Sequence, residues 1–298
     1  MKIVIKLFNR IVSKTTNIIL EKYVFRIWNM LYEQFHNDYI LLSASVTPLN
    51  HNWGDDVSKI LVEFLTSGKK VIVKKYSFNC RNKDDYSCIG SIITWMTTCN
   101  TIIWGSGVVY PHKPISAIPK KVLAVRGPLT RNYLLERGIE CPKVYGDPAL
   151  LFPKFYIPKN KNRRYKVGII PHFRDQNNTI LDAFKGENGV LMIDVKKIHP
   201  WHLFIDQIVQ CENILTSSLH GLIIADTYEV PNLWIELDGG EKKRFAFHDY
   251  LQSVGHDVPG PTIISNKTKL EELIRQCKWQ PLNINLDLLM SVCPFHQN

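Results

Sequence analysis

From residue 39 onward, short apolar runs alternate with stretches of helical spacing, and this alternation restricts the chain to few folds. The first half has strand-like runs at residues 39–42, 70–73, 100–104 and 121–125, and the second half has them at 167–171, 190–194, 212–217, 232–237 and 262–265. Helical spacing separates successive runs. Such alternation predicts an α/β protein with parallel sheets that carry helices on both faces.

The length of the chain points to two lobes. A chain of 298 residues is about two domains long, and each domain can bury its own core. Residues 153–166 contain proline and many Lys and Arg, which is typical of a solvated linker. We therefore expect an N-terminal lobe at 39–152 and a C-terminal lobe at 167–298 with a cleft between them, preceded by an N-terminal extension at 1–38.

The N-terminal extension carries a basic residue at every fourth position. Lys2, Lys6, Arg10 and Lys14 recur on one side, while apolar residues fill the opposing side. This spacing predicts a basic amphipathic helix, which can lie on an anionic membrane surface. A helix packed on the body of the protein explains the same pattern equally well.

The composition narrows the classes of protein. Seven cysteines, none in C-x-x-C spacing, indicate a reducing cytoplasm and no structural zinc. No apolar run reaches the ~18 residues of a spanning helix, so we expect a protein that is neither secreted nor transmembrane. The net charge of +10 requires an anionic partner, but no nucleic-acid-binding motif interleaves aromatic and basic residues.

Ligands of parallel α/β sheets collect at the carboxyl ends of the strands, where helix N-termini present free amides to anions. The strongest such turn joins a strand at 214–216 to a helix at 221–228 and contains Ser217, Ser218 and His220. Two hydroxyls and an imidazole at this place can hold a phosphate or carboxylate and exchange a proton. A serine that caps the helix beside a packed histidine is an equally frequent alternative.

Arginine follows two further strands. His172 and Arg174 come after the run at 169–171, and Arg126 follows the run at 121–125. A guanidinium there can grip a carboxylate or phosphate with paired hydrogen bonds. For Arg174, an ion pair with the adjacent Asp175 remains open as an alternative.

Carboxylates follow the first strand, in the stretch that contains Asn52, Asp55 and Asp56. Either aspartate can accept a proton from a substrate hydroxyl, although acidic residues also favour helix starts. The same helix-start role applies more strongly to Asp147. The loop after Trp104 contains a single G-x-G, which lacks the full dinucleotide-binding spacing and predicts only a cleft-lining turn.

Five motifs, in this order, resemble those of the polysaccharide pyruvyl transferases. They are residues 52–55 (NWGD), 104–107 (WGSG), 124–130 (AVRGPLT), 145–149 (YGDPA) and 217–221 (SSLHG). The resemblance extends over about residues 39–277 and is nearest to bacterial exopolysaccharide members, which place pyruvate ketals on sugars. It implies two Rossmann-like lobes that face a central cleft, similar to two-lobed glycosyltransferases of the GT-B type.

The resemblance also implies a reaction and a set of residues. The donor would be phosphoenolpyruvate, the acceptor a hexose of a polysaccharide or of its lipid-linked precursor, and no metal or other cofactor would be needed. His220 would be the proton donor and Asp55 the base. The implied contacts to phosphoenolpyruvate are Arg126, Arg174, Ser217, Ser218 and His172, and the implied contacts to the acceptor are Asn52, Asp56 and Trp104.

One departure from the family pattern concerns Ser218, where some members have arginine. Arg174 is then the candidate for the missing cation contact. A lipid-linked acceptor would also favour peripheral contact of residues 1–36 with the inner face of the plasma membrane. Two other functions stay open: a nucleotide-sugar glycosyltransferase of the same architecture, with Glu236 facing a ribose, and a non-catalytic basic membrane-binding module.

Overall fold

The computed structural model describes residues 39–45, 51–74, 83–237 and 243–295. From Ile40 onward the chain forms one compact unit. The predicted amphipathic helix of the N-terminal extension lies outside the described residues. Within the described ranges, no helix has the length and apolar character needed to cross a membrane.

The first half of the unit contains a five-stranded parallel sheet in the order β2-β1-β3-β4-β5. Its strands are β1 (Ile40–Ser43), β2 (Val71–Lys74), β3 (Asp85–Ser87), β4 (Thr101–Trp104) and β5 (Lys121–Ala124). Its helices are α1 (Trp53–Leu65), α2 (Ile93–Met96) and α3 (Pro128–Leu135), and a 3-10 helix follows at Pro148–Lys154.

The second half contains another five-stranded parallel sheet, in the order β10-β9-β8-β6-β7. Its strands are β6 (Val167–Ile170), β7 (Val190–Met192), β8 (Ile214–Thr216), β9 (Asn232–Glu236) and β10 (Thr262–Ile263). Its helices are α4 (Leu203–Val209), α5 (Leu219–Thr227), α6 (Arg244–Ser253), α7 (Leu270–Ile274) and α8 (Leu286–Ser291), with a 3-10 helix at Thr179–Ala183.

The α/β class with parallel sheets is confirmed, but one strand was not predicted. Strand β3 is the central strand of the first sheet, and its sequence Asp85-Tyr86-Ser87 has no apolar run. Asp85 is tolerated in the core because its carboxylate forms an ion pair with the buried Lys74 (2.9 Å) and accepts hydrogen bonds from the hydroxyls of Thr98 (2.8 Å), Thr101 (2.8 Å) and Ser43 (2.9 Å). Pairing of this kind removes most of the cost of burying a charge, and periodicity cannot reveal it.

The C-terminal segment returns to the first sheet. The Trp104 indole nitrogen donates to the Leu289 carbonyl (2.9 Å), and the ring of Phe295 packs on Tyr86 at 4.8 Å between centroids. Residues 286–295, which the sequence assigned to the C-terminal lobe, therefore pack against the N-terminal sheet. Because both sheets belong to one compact unit, the linker at 153–166 stays a prediction.

Helix α1 connects the two halves at its first residue. The Trp53 amide donates to the Val195 carbonyl (2.7 Å), its indole nitrogen donates to the Trp201 carbonyl (2.6 Å), and its ring stacks on Phe204 at 4.5 Å. A buried tryptophan whose polar atoms are both paired makes a strong, directional contact. It fixes the start of α1 beside the carboxyl ends of the second sheet.

Candidate active site

A cavity of about 710 Å³ opens where the carboxyl ends of strands from both sheets meet. Its size is within the range of small-molecule sites, and it lies where parallel α/β sheets place their ligands. Six residues predicted for the site line this cavity: Asn52, Asp55, His172, Arg174, Ser218 and His220. These residues come from the turns after β1, β6 and β8, which are the strand-to-helix turns where the sequence predicts a ligand site.

His220 lies in the first turn of α5 and is only 6% exposed. Its ring lies against Gly54 of α1, where an added Cβ would come within 1.9 Å of the imidazole Nδ1. Any side chain at position 54 would therefore displace the histidine. The NWGD and SSLHG motifs are thus two sides of one contact between α1 and α5.

Asp147 faces His220 from the start of the 3-10 helix. Its Oδ1 accepts from the Ala149 amide (3.0 Å), so the predicted helix-capping role is present. Its Oδ2 lies 3.7 Å from His220 Nε2, and neither of these two buried atoms has a hydrogen-bond partner. Such unsatisfied atoms are costly in a folded protein and frequent at functional sites. Sequence reasoning assigned Asp147 only the cap.

Burial sets the charge of this pair. It raises the pKa of Asp147 to about 7, against the Ala149 hydrogen bond and the charge of Arg126. It lowers the pKa of His220 to about 3, with Arg126 and Lys243 adding to the effect. At neutral pH the imidazole is therefore uncharged, and the carboxyl group is the member of the pair that exchanges a proton.

Of the two aspartates that follow β1, Asp55 is the one that lines the cavity. Burial raises its pKa to about 7, against a hydrogen bond from the Asn52 side chain (3.2 Å). Asp56 does not line the cavity, because its carboxylate binds the Asn52 amide (3.0 Å) and His51 (3.2 Å) within the turn. The structure thus brings Asn52 and Asp55 to the cavity and leaves Asp56 as a support of the turn.

Three cationic residues line the cavity, Arg174, Lys243 and Lys113, and sequence reasoning identified only Arg174. Arg174 is exposed. Asp175, the predicted ion-pair partner of Arg174, accepts a hydrogen bond from Ser217 (2.6 Å). Lys243, just before α6, was not predicted. Burial lowers its pKa to about 7, with Arg174 adding to the effect and Asp175 and Asp55 opposing it. The strand-to-helix rule, applied to β9, would have pointed to Lys243.

The turns after β6 and β8 hold each other in place. Ser217 accepts from the His172 amide (3.0 Å) and does not line the cavity, so it supports the site without facing it. Burial lowers the pKa of His172 to about 2, with Lys243, Arg174 and His220 adding to the effect, so this ring is neutral. Ser218 lines the cavity at the N-cap of α5, and its side chain does not cap the helix.

Arg126 is not at the cavity surface. It is fully buried, and it binds Asp249 of α6 (3.0 Å), Ser91 (2.5 Å) and the Val108 carbonyl (2.7 Å). Asp249 also accepts from the amide (2.8 Å) and hydroxyl (2.6 Å) of Thr130. The RGPLT motif thus joins the two halves, and Arg126 reaches the site only through its charge. This role was not predictable from the sequence, because Asp249, the partner of Arg126 in the other half, is distant along the chain.

Trp104 also lies away from the cavity. The side chain is fully buried against the C-terminal segment, where its indole nitrogen binds Leu289. The next residue, Gly105, has φ +91°, and a Cβ there would lie 2.2 Å from Pro148. The WGSG motif therefore supports the loop that carries Asp147, and Trp104, predicted as an acceptor contact, does not line the cavity.

The fold and the cavity together define a class of protein: an α/β protein with a cationic cavity lined by a carboxyl group, Asp55, and by the imidazole of His220, which a second carboxyl group, Asp147, contacts from the buried side. The sequence profile of the polysaccharide pyruvyl transferase family matches residues 24–239. The chain belongs to this family of transferases, which confirms the resemblance. The match begins earlier than the motifs indicated and ends before residue 277.

The proteins similar to the chain include two relatives and one solved structure. An uncharacterised protein of Acanthamoeba polyphaga mimivirus is 31% identical over 209 residues, which cover 68% of this chain and 71% of the relative. The succinoglycan biosynthesis protein ExoV of Rhizobium meliloti is 24% identical over 238 residues, 76% of this chain and 69% of its own. An uncharacterised Klebsiella pneumoniae protein aligns with a TM-score of 0.43 and 12% identity, covering 80% of this chain and 97% of its own.

Proposed function

We propose that the protein transfers pyruvate from phosphoenolpyruvate to a hexose of a polysaccharide or its lipid-linked precursor, forms a ketal and releases phosphate. The observation that carries this proposal is the cavity itself. It combines a base of suitable pKa, Asp55, with the His220–Asp147 pair and with the cations Lys243 and Arg174. Family membership and the similarity to a succinoglycan biosynthesis protein support the same reaction.

The donor would bind through its two anionic groups. Lys243 and Arg174 line the cavity, as does Ser218, where the free amides at the start of α5 favour negative charge. Lys243 and Arg174 would supply the cation contact that an arginine at position 218 would make in some family members. Lys243 is the stronger candidate because it is partly buried, so its charge is less screened than that of the exposed Arg174.

Donor binding would also prepare the acid. One negative charge about 4 Å from an imidazole contributes about 4 kcal/mol at an effective dielectric constant of 20, which raises a pKa by about three. The pKa of His220, which is about 3 in the free protein, would then rise toward neutral pH. His220 could therefore take the proton held by Asp147. The acid would become competent only when the anionic donor is present.

The reaction balances with these groups alone. His220 protonates the methylene carbon of phosphoenolpyruvate, and the central carbon gains positive character. A sugar hydroxyl attacks that carbon and gives its proton to Asp55. The carbon–oxygen bond to phosphate then breaks, and Ser218 and the α5 amides stabilise the departing phosphate. A second hydroxyl attacks the same carbon, closes the ketal and gives its proton to the phosphate, while the proton on Asp55 returns through solvent to the His220–Asp147 pair. We expect no metal or other cofactor in this scheme.

Phosphate release tests the proposed function. The purified protein is incubated with phosphoenolpyruvate and a panel of hexosides and lipid-linked oligosaccharides. We expect acceptor-dependent phosphate release, which falls at least about a hundredfold in His220→Ala. Release of a nucleoside diphosphate from nucleotide sugars, without phosphate release from phosphoenolpyruvate, would contradict the proposal and favour a glycosyltransferase.

One observation weighs against the glycosyltransferase alternative. Glu236, the candidate ribose contact, is 5% exposed and forms two hydrogen bonds with Arg244, of 2.9 and 2.6 Å. A carboxylate held in this bidentate way is not free to bind a ribose. We further propose that the two sheets correspond to GT-B-like lobes and that residues 1–36 contact an anionic membrane.

A further inference from the structure

The cavity is larger than the proposed donor requires. A three-carbon acid phosphate fills only part of 710 Å³, and Lys243, Arg174 and His220 account for only part of the lining. Much of the remaining lining comes from residues 91–95 and from residues 109–116, which include the cation Lys113, and neither segment has a role in the proposed chemistry. An aromatic side chain, Trp95, is part of this wall.

Trp95 is presented to the cavity by its own short helix. Its neighbours Ile93 and Met96 on α2 are almost completely buried, whereas Trp95 is 43% exposed. Among the large apolar side chains exposed in the described part of the chain, Trp95 is the one that lines this cavity. Single exposed apolar residues are common on proteins, so a role for Trp95 depends on the residues around it.

The surroundings supply a rigid wall with an unpaired polar atom. The loop that contains Ser116 is fixed to α2, because the Ser116 amide donates to the Thr94 carbonyl (3.0 Å) and its hydroxyl donates to the Thr97 carbonyl (2.6 Å). Thr94 lines the cavity and is 4% exposed, yet its Oγ1 has no hydrogen-bond partner. Asn52 Oδ1, also on a cavity-lining residue, is likewise buried and unpaired.

We propose that Trp95 and Thr94 form the acceptor subsite, which takes a hexopyranose of the acceptor glycan. The apolar C–H face of a pyranose packs on an indole, and its hydroxyls pair with Thr94 Oγ1 and Asn52 Oδ1 once these two buried side chains rotate toward the sugar. The subsite adjoins Asp55, the proposed base, along the same cavity. This inference rests on the proposed function, and it replaces the predicted acceptor contacts Asp56 and Trp104.

Binding without turnover tests the subsite separately from the reaction. Methyl hexopyranosides are titrated into the full chain with saturating phosphoenolpyruvate, using His220→Ala so that no product forms. We expect at least one hexoside to bind and Trp95→Ala in that background to weaken it by about tenfold or more, with Trp95→Phe intermediate. Thr94→Val, which removes the hydroxyl at constant shape, should weaken it by several-fold. Ile118→Ala, exposed and outside the cavity, is the matched control.

Three results would overturn the subsite. Hexoside affinity unchanged in Trp95→Ala would place the acceptor elsewhere while leaving pyruvyl transfer intact. Equal loss of phosphoenolpyruvate and hexoside binding in both Trp95→Ala and Trp95→Phe would make Trp95 a structural residue. Absence of hexoside binding, or uridine diphosphate binding that depends on Trp95, would show that the wall does not take a hexose. Failure of the proposed function would appear independently, as absence of acceptor-dependent phosphate release by the unmodified protein.

Discussion

Burial sets the protonation state of the residues around the cavity. Asp55 and Asp147 have pKa values raised to about 7, whereas His220 is held neutral by a pKa of about 3. In each case the first cause is loss of solvation, which disfavours the charged form. The free energy of folding that buries Asp55 and Asp147 therefore keeps their pKa values near neutral pH, where both groups can exchange protons.

The two carboxyl groups predict a bell-shaped pH dependence. Asp55 must be ionised to act as a base, and the His220–Asp147 pair must retain its proton, so kcat/KM should rise and fall around pH 7. In Asp55→Asn, kcat should fall at least about a hundredfold and the acid limb should disappear. A pH profile of Asp55→Asn that keeps its acid limb would assign that limb to another group.

Lys243 predicts opposite effects on stability and activity. Its pKa is lowered from 10.5 to about 7 in the folded protein. Burial of the charged amine therefore destabilises the fold by its full amount below pH 7, and this destabilisation disappears as the pH rises above 10.5. Lys243→Met should therefore be more stable at pH 7, by on the order of 1 kcal/mol, with the gain fading as pH rises. The KM for phosphoenolpyruvate should rise about tenfold.

Thermal unfolding and steady-state kinetics measure these two effects. Lys267→Met, at an exposed position, is the matched control and should change neither quantity. A Lys243→Met variant that loses stability at pH 7, or that binds phosphoenolpyruvate normally, would contradict this role of Lys243.

At the scale of helices and turns, the sequence predicted where the site lies better than which side chains face it. The strand-to-helix rule located Asn52, Asp55 and His220, because helix N-termini are set by the chain itself. It did not distinguish Asp56, which binds its own turn, or Arg126, which is paired with Asp249 more than a hundred residues later. Orientation depends on such distant partners, and one sequence does not display them.

The contact between α1 and α5 predicts the effect of a single methyl group. Gly54→Ala would place a Cβ 1.9 Å from His220 Nδ1, so the imidazole must move. Displacement of about 1 Å is enough to cost about a hundredfold in rate. We expect kcat to fall by at least that factor, as measured by phosphate release. Gly260→Ala, where an added Cβ meets nothing within 4 Å, should retain full activity.

The Arg126–Asp249 pair predicts strong coupling between the two halves. Both side chains are fully buried, so Asp249→Asn alone should destabilise the fold by about 3 kcal/mol or more, because it leaves a buried charge unpaired. Adding Arg126→Met should recover part of that loss. Chemical denaturation of the two single variants and the double variant measures the coupling free energy.

An exposed pair provides the comparison. Lys166 and Glu271 lie 2.6 Å apart, and their side chains are 48% and 64% exposed. Their coupling should be no more than about 1 kcal/mol. Equal coupling in the two pairs would mean that Arg126 and Asp249 do not hold the halves together.

At the scale of the whole molecule, the site depends on contacts between the two sheets. Trp53 binds Val195 and Trp201, Arg126 binds Asp249, and the C-terminal segment returns to the first sheet. The parallel sheets themselves were predictable because every strand except β3 shows as an apolar run in the sequence. The return of residues 286–295 was not, because it depends on side-chain contacts between distant parts of the chain.

The N-terminal extension predicts membrane contact that can be separated from catalysis. Because the family match begins at residue 24, a deletion of residues 1–23 leaves the matched region intact. We expect this variant to bind vesicles containing anionic lipid at least about tenfold more weakly, and to release phosphate normally with a soluble acceptor. Unchanged vesicle binding would contradict a membrane role for the basic residues of this segment.

Product analysis in deuterated water tests pyruvyl transfer by protonation of the donor most directly. The protein is incubated with phosphoenolpyruvate and the best hexose acceptor of the panel, and the product is examined by mass spectrometry and NMR. We predict an acceptor that carries a pyruvate ketal whose methyl group contains one solvent deuterium, formed in equal amount to phosphate and absent with His220→Ala. Free pyruvate and phosphate beside an unmodified acceptor would contradict this account.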